Sequence, residues 1–165
     1  MPLMPFDSLS DDSRVWVFSA DPALDDERSA QLLTLVDAFL DQWVAHGEPL
    51  TCGRDWREGR FLIIDVDQNA TAYASGCSID GLYRKLAEFE KQTGASLLSR
   101  DRVFYRGANG EVCSVSREGF AQLSSDGKIG SGTTVFDTSI SSLGELRERF
   151  ELPAAGSWHR ALLTV

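Results

Sequence analysis

The sequence has no apolar run near the roughly 20 residues that a membrane-spanning helix needs. Its first segment, Met1 to Asp12, is acidic and lacks the basic stretch and apolar stretch of a secretory signal. Cysteine is scarce, and Cys52, Cys77 and Cys113 form an odd set with wide spacings, which indicates neither a disulfide framework nor a zinc site. We therefore expect a cytoplasmic protein with reduced thiols and no membrane partner.

Positive charge is also in short supply. The chain has 16 Lys plus Arg against 25 Asp plus Glu, a formal net charge of -9. Such a charge repels phosphate backbones, so nucleic-acid binding is not expected. The basic residues are 13 Arg and 3 Lys, which is compatible with a few fixed carboxylate or phosphate contacts and equally with coding bias.

The chain length indicates one folded unit. A chain of 165 residues with 42% hydrophobic residues can bury a core without disulfides or metals. We expect a polar leader over residues 1–13 and a single domain over residues 14–165. No linker and no internal repeat interrupts this range.

The first half of the domain predicts a strand, a helix and a hairpin. Arg14 to Phe18 is β-branched and aromatic, which predicts a strand. The first helix should begin after Asp25 as its N-cap and end at Gly47. Leu50 to Trp56 and Arg60 to Asp67 then predict a hairpin whose second strand is central. The helix should bury one stripe, made of Leu32, Val36, Phe39 or Leu40, and Trp43.

The second helix should follow a turn of small residues and end at Gly94. Its apolar positions recur at helical spacing, at Ile79, Leu82, Leu86 and Phe89. Arg102 to Arg106 and Glu111 to Ser116 predict a second hairpin. A short helical turn over Phe120 to Leu123 precedes a flexible loop.

The last part should add a strand over Thr133 to Thr138 and a short helix. Ser142 and Glu145 have the spacing of a capping box, which predicts that the helix starts there. The order strand, helix, two strands, helix, strand is typical of a ferredoxin-like split βαβ fold. We predict an α+β domain with this βαββαβ core, extended by a C-terminal β-hairpin, strand and short helices.

Motifs for nucleotide hydrolysis are missing. A P-loop needs two glycines with four residues between them and then Lys followed by Ser or Thr, so that backbone amides wrap the phosphates. At the Gly127-Lys128 pair, Gln122 replaces the first Gly and Ile129 replaces the Ser or Thr. The Gly-rich stretch that follows does not form a dinucleotide fingerprint either.

The most unusual local sequence is the turn from Ala74 to Asp80. It places Cys77 at the start of the second helix, where unpaired amides and the helix dipole lower a thiol pKa and attract anions. Cys77 is therefore a candidate nucleophile, or the turn holds a carboxylate or phosphate. Ordinary capping by Ser78 and Asp80, with Cys77 packed as a small apolar residue, explains the same residues.

A nucleophilic thiol needs a base, and the chain has two histidines. His46 should lie at the C-terminal end of the first helix, where the dipole favours a cation. His159 follows Trp158 in the tail, where a structural role and a ligand contact are equally open. The histidines, cysteines and acidic pairs show no spacing that is typical of a metal site. The pair Asp65 and Asp67 is typical of a solvated strand end.

Four segments together resemble a family of short bacterial proteins that commonly carries the label "ABC transporter ATPase". These segments are Arg14 to Val17, Phe39 to Trp43 with Ala45 to Gly47, Ala74 to Asp80, and Ser157 to His159. The resemblance covers nearly the whole chain, and the Ser-Gly-Cys-Ser-Ile-Asp string is its most specific part. It implies no catalytic role. It marks seven positions, which are Trp43, His46, Cys77, Ser78, Asp80, Trp158 and His159.

Our leading hypothesis is a small domain that binds a small molecule or a protein partner near the start of the second helix, without its own catalysis. The candidate ligand-binding residues are Ser75, Gly76, Cys77, Ser78, Asp80, His46, Trp43, Trp158 and His159. One alternative is a thiol-dependent enzyme with Cys77 as nucleophile and His159 or His46 as base. Another is an interaction subunit that adds the Thr133 to Thr138 strand to a partner's sheet. The sequence indicates no particular cofactor and no oligomeric state.

Overall fold

The computed structural model describes residues 4–67 and 76–164, and of Gly76 and Cys77 it describes the backbone only. The helices of this part of the chain are α1 (Asp26–Asp41), α2 (Gly76–Thr93), α3 (Arg117–Ser125) and α4 (Leu143–Arg149). Its strands are β1 (Arg14–Ser19), β2 (Val44–Ala45), β3 (Glu48–Pro49), β4 (Cys52–Arg57), β5 (Phe61–Val66), β6 (Arg102–Arg106), β7 (Val112–Ser116), β8 (Thr134–Phe136) and β9 (Glu151–Pro153). Short 3-10 helices cover Phe6–Ser8, Ala154–Gly156 and Trp158–Leu162. The predicted α+β class is confirmed.

The first sheet has the antiparallel order β1-β5-β4. The predicted central strand is confirmed, since β5 pairs on both sides and every one of its residues is buried. Alternate residues of a strand point to opposite faces, and Leu62 and Ile64 face α1 and α2. The stripe of α1 that meets them is Leu32, Val36 and Leu40, and that of α2 is Leu82, Leu86 and Phe89.

Local signals set most helix ends. The Asp25 carboxylate accepts a hydrogen bond from the Arg28 amide at 2.7 Å, so the predicted N-cap of α1 is confirmed. Gly94 ends α2 with φ 76°, a backbone conformation that glycine adopts without a Cβ clash. The box at α4 is also present, because Ser142 Oγ accepts from the Glu145 amide at 3.1 Å.

The predicted end of α1 at Gly47 is wrong. The helix ends at Asp41, and a small hairpin of β2 and β3 follows it. His46 and Gly47 are the two turn residues, with φ 53° and 81°. A two-residue hairpin turn of type I′ has positive φ at both positions, so Gly47 serves the turn. His46 is therefore not at a helix end, and it is exposed.

The second sheet is antiparallel throughout, with the order β7-β6-β8-β9. It packs on the other face of β5 through one aromatic residue, Phe61. The Phe61 ring centroid lies 5.3 Å from that of Phe104, 5.0 Å from Phe136 and 5.3 Å from Phe150. This aromatic cluster joins the two sheets because Phe61 and Ile63 of β5 point away from Leu62 and Ile64, toward the second sheet.

The complete ferredoxin-like core is not confirmed. The first three predicted strands have the expected order, since β5 lies between β1 and β4. The predicted closing strand, β6, pairs with β7 and β8 in the second sheet. The physical reason is that Phe104 of β6 packs against Phe61 across the sheet face, so β6 is not beside β1.

Two further expectations for the C-terminal half change. The short turn predicted over Phe120 to Leu123 is part of α3, which Ser116 caps by accepting from the Gly119 amide at 3.0 Å. The strand predicted over Thr133 to Thr138 is β8, and β6 and β9 occupy both of its edges. Because neither edge is open, β8 cannot be the strand added to a partner's sheet.

The polar leader packs on the domain from Met4 onward. The Met4 amide donates to the Cys52 carbonyl at 2.8 Å, and Leu9 is buried in the aromatic cluster. Within the described residues, no helix combines the length and the apolar character that a bilayer crossing requires.

Candidate functional site

The structure divides the predicted site residues between two places. Trp43 belongs to the first, where its Nε1 donates to the Ser78 carbonyl oxygen at 2.9 Å. Its indole is 4% exposed and lies edge-on to Trp16, with 6.4 Å between ring centroids. Trp43 therefore ties the chain after α1 to the first turn of α2.

An apolar groove of about 530 Å³ lies between α1 and α2 at this point. Gly81 lets the helices approach, because a Cβ there would lie 3.3 Å from the Phe39 ring. Nothing acidic lines the groove in the described part of the chain, and its only cation is Lys85. The groove residues are Leu35, Ala38, Phe39, Gln42, Trp43, Val44, Ser78, Gly81 and Lys85.

The thiol hypothesis falls largely outside the described residues. Ser75 and the side chain of Cys77 are among the parts not described, and Asp80 is exposed on α2. The reactivity of Cys77 therefore stays a prediction. Of the other thiols, Cys52 is fully buried, and burial raises its pKa to about 12. Burial also raises the pKa of Cys113, so both are poor nucleophiles at neutral pH.

His159 belongs to the second place, at the C-terminal end of the fold. It is 1% exposed, packs edge-on to Phe120, and its Nδ1 lies 2.9 Å from Ser157 Oγ. Burial lowers the pKa of His159 to about 4, against an opposing effect of Asp137. A ring held neutral in this way is a weak base, because base strength falls with pKa.

A concave surface lies beside His159, between the two sheets. We call it the arginine cleft, and its volume is about 570 Å³. Its walls come from β1, β6, the start of α3, the loop after β8 and the C-terminal 3-10 helices. The lining residues are Val17, Ser19, Ser99, Arg100, Arg102, Phe104, Arg117, Asp137, Thr138, Ser139, Arg149, Leu152, Gly156, Ser157 and Trp158.

Two of the four arginines in this cleft are paired with carboxylates. Arg102 Nε lies 3.0 Å from Asp21 Oδ2. Arg149 Nη2 lies 3.3 Å from Glu145 Oε2. These ion pairs neutralise part of the positive charge at the walls of the cleft.

The other two arginines have neutral partners. Arg100 Nη2 donates to the Tyr83 hydroxyl at 2.8 Å, and the Arg117 guanidinium carbon lies 5.1 Å from the Trp158 ring centroid. Neither forms an ion pair with a carboxylate within the described ranges. The exposed Asp101 carboxylate has its pKa lowered mainly by the Ser99 hydroxyl and more weakly by Arg102 and Arg117, so it lies near Arg117 without an ion pair. The charges of Arg100 and Arg117 are therefore only partly compensated.

Trp158 positions Arg117. Its indole is 38% exposed and stacks on His159, with 4.0 Å between ring centroids and 26° between ring planes. Since Ser157 and Phe120 hold His159, the indole has a fixed support. An arginine over an aromatic face is stabilised by the ring quadrupole, by about 0.5–1 kcal/mol at an exposed site, which favours this placement of the guanidinium.

Asp137 is the only acidic residue that lines the cleft in the part of the chain described. It is 5% exposed, and its Oδ1 accepts from the Ser139 amide at 3.0 Å and the Ser139 hydroxyl at 2.5 Å. Arg149 Nη2 lies 3.9 Å from its other oxygen. Asp137 is thus occupied by its own loop, and the cleft keeps an excess of positive charge.

Sequence reasoning placed Trp158 and His159 among the site residues and missed the arginines. The four arginines come from three separate stretches of chain, around residues 100, 117 and 149, so no local motif contains them. Their one sequence signal was the excess of Arg over Lys. Among residues 4–67 and 76–164, no group of three or more metal-ligating side chains comes together.

Comparison of the chain with family models, curated proteins and solved structures finds no match. The geometry of the cleft and of the groove is therefore what bears on function.

Proposed function

We propose that this protein is a small binding domain that holds an anionic ligand in the arginine cleft. The observation that carries the proposal is the pair Arg100 and Arg117, two guanidinium groups without carboxylate partners in one concave surface. A chain with net charge -9 has many carboxylates with which to neutralise an arginine. Two arginines left with neutral partners in a cleft are suited to a negative charge from outside the chain.

The ligand groups that fit best are carboxylate and phosphate. A guanidinium presents a planar fork of N–H donors that matches the two oxygens of either group. Hydroxyl groups of Ser99, Thr138 and Ser157 on the walls can donate further hydrogen bonds. The volume of about 570 Å³ is in the range of small-ligand sites.

Binding is favoured over catalysis because the cleft lacks a reactive set among its described residues. No thiol lines it, and the nearest imidazole, His159, is buried with Nδ1 engaged by Ser157. The proposal keeps the binding-domain hypothesis and a cytoplasmic setting, and it moves the site from the start of α2 to the arginine cleft.

A thermal-shift assay with citrate and with inorganic phosphate tests the proposal. A ligand at about 100 times its Kd adds about 2.7 kcal/mol to the free energy of unfolding, which raises Tm by roughly 5–10 °C for a domain of this size. At least one of the two anions should raise Tm of the wild type. Arg117→Gln should reduce the shift severalfold.

The matched control is Arg28→Gln, which removes the same charge from an exposed position at the start of α1. It should leave the shift unchanged. If neither anion stabilises the wild type, or if both variants respond equally, the cleft is not an anion site.

A further inference from the structure

The outward edge of β1 lies in the arginine cleft with part of its backbone unpaired. On one side, the Ala20 amide donates to the Arg60 carbonyl at 2.6 Å, so the even-numbered residues of β1 turn their backbone groups toward β5. On the other side, the Val15 amide donates to the Ser141 carbonyl at 3.0 Å. The backbone N–H and C=O groups of successive residues point to alternate sides of an antiparallel strand. Those of Val17 and Ser19 therefore also point outward, away from β5.

The chain itself covers this edge at both ends. Ser141 covers it at Val15, and the Ser96 carbonyl accepts from the Asp21 amide at 3.0 Å. Between these two points the chain rises about 20 Å. Val17 and Ser19 lie in this gap and line the cleft, where Val17 is half-buried and Ser19 is 6% exposed, so the edge is recessed. Within the described residues, neither has a backbone hydrogen bond on its outward side.

We propose that the anionic ligand is an extended acidic peptide segment of a partner protein, which pairs with β1 between Val15 and Asp21. This inference rests on the proposed function. The segment supplies the strand that β6 does not supply in this fold. Its backbone bonds the N–H and C=O groups of Val17 and Ser19, and a carboxylate side chain reaches Arg100 or Arg117. Strand addition to an open edge is a common mode of peptide recognition.

Charge complementarity selects an acidic peptide. An open strand edge by itself attracts any extended chain, which is a hazard that proteins limit. Here the edge lies beside two cations without carboxylate partners, which attract acidic segments and repel basic ones. A small free anion would satisfy the arginines and leave the Val17 and Ser19 backbone groups unpaired.

The probe is a bead library of N-acetylated, C-amidated pentapeptides, screened with fluorescently labelled full-length protein. The selected peptides should be enriched in Asp and Glu. Each residue of the best peptide is then N-methylated in turn and binding is measured by anisotropy. Val17 and Ser19 are the outward-facing residues of the gap, so they can pair with two peptide residues that lie two positions apart. Methylation of these two peptide amides should weaken binding about tenfold or more, and methylation of the residue between them should not.

Val17→Pro tests the protein side of the same contact. The Val17 amide points away from β5, so proline there removes a donor to the ligand without removing a hydrogen bond of the sheet. It should abolish peptide binding and keep the citrate or phosphate shift. Val17→Ala keeps the amide and should still bind the peptide.

The outcomes separate this inference from the proposed function. If an anion raises Tm but no acidic peptide is selected, or N-methylation has no alternating effect, the peptide inference is wrong and the anion site stands. If anions and peptides both fail to bind, the proposed function is wrong. Acidic peptides that show the alternating pattern support both.

Discussion

Asp65 provides a sharp test of how this core is built. It lies on β5, is fully buried, and neither carboxylate oxygen has a hydrogen-bond partner among the described residues. Burial raises the pKa of Asp65 to about 7, although the nearby amides of Gly53 and Asp65 itself favour the ionised form. The sequence interpretation of Asp65 as part of a solvated strand end is therefore wrong.

The sign and size of the effect follow from the two pKa values. The unfolded pKa is near the ordinary 3.8 and the folded pKa is about 7, so between them the native state holds a proton that the unfolded state has lost. Stability therefore falls as pH rises through this window, and the loss is complete above pH 7. At 1.36 kcal/mol per pKa unit, the cost is about 4 kcal/mol.

Asp65→Asn removes the ionisable group at nearly constant shape. The free energy of unfolding of the variant, relative to that of the wild type, should rise by about 4 kcal/mol between about pH 4 and about pH 8. Urea denaturation across this range measures it. Any constant cost of the amide cancels, because only the change with pH is compared.

Asp80→Asn makes the same chemical change on the exposed face of α2 and is the matched control. If the Asp65→Asn difference changes with pH no more than the Asp80→Asn difference does, the carboxyl of Asp65 is not buried in the native state.

Three further predictions concern the core, each measured by urea denaturation. Because burial lowers the pKa of His159 from 6.5 to about 4, the wild type should lose stability as pH falls through this window. The free energy of unfolding of His159→Gln, relative to the wild type, should therefore rise by about 3 kcal/mol from about pH 7 to about pH 4. A difference that does not change with pH would contradict the burial of the ring. Phe61→Ala should cost about 3–5 kcal/mol because Phe61 joins the two sheets, whereas a cost no greater than that of partly exposed Phe39→Ala would contradict this packing. Trp43→Phe should cost at least about 1 kcal/mol, because it removes the hydrogen bond to Ser78 and leaves space where the buried indole packs, and no loss would show that the indole does not stabilise the fold.

Elements with local signals could be predicted from the sequence. Asp25 satisfies amides within its own helix turn, and Gly94 adopts a conformation that its neighbours do not. The continuous apolar run of β5 predicted a central strand because both of its faces are covered. In each case the cause lies within a few residues of the effect.

The misassigned elements depend on contacts between distant residues or on an atypical residue. The end of α1 was misplaced because His46, which is seldom found at positive φ, shares a two-residue turn with Gly47. The sheet that β6 joins depends on the contact between Phe61 and Phe104, which are 43 residues apart in the sequence. A hairpin pattern alone does not say which sheet it joins.

The candidate site could be predicted only in part. Trp158 was selected from its place in a resemblance, and it does line the cleft. Arg100 and Arg117 carry no motif, and they meet there because α3 and the loop before β6 fold toward the same edge of β1. Sequence patterning reports the faces of single elements and does not report which elements meet.

Heteronuclear NMR on labelled protein during a citrate titration tests the central claim most directly. The Arg117 side-chain Nε–H, the Ser139 amide and the Trp158 indole N–H should shift together and saturate with one Kd. Shifts confined to Trp43 and its neighbours in the groove between α1 and α2, or no saturable shift with citrate or phosphate, would contradict the assignment of the arginine cleft as the anion site.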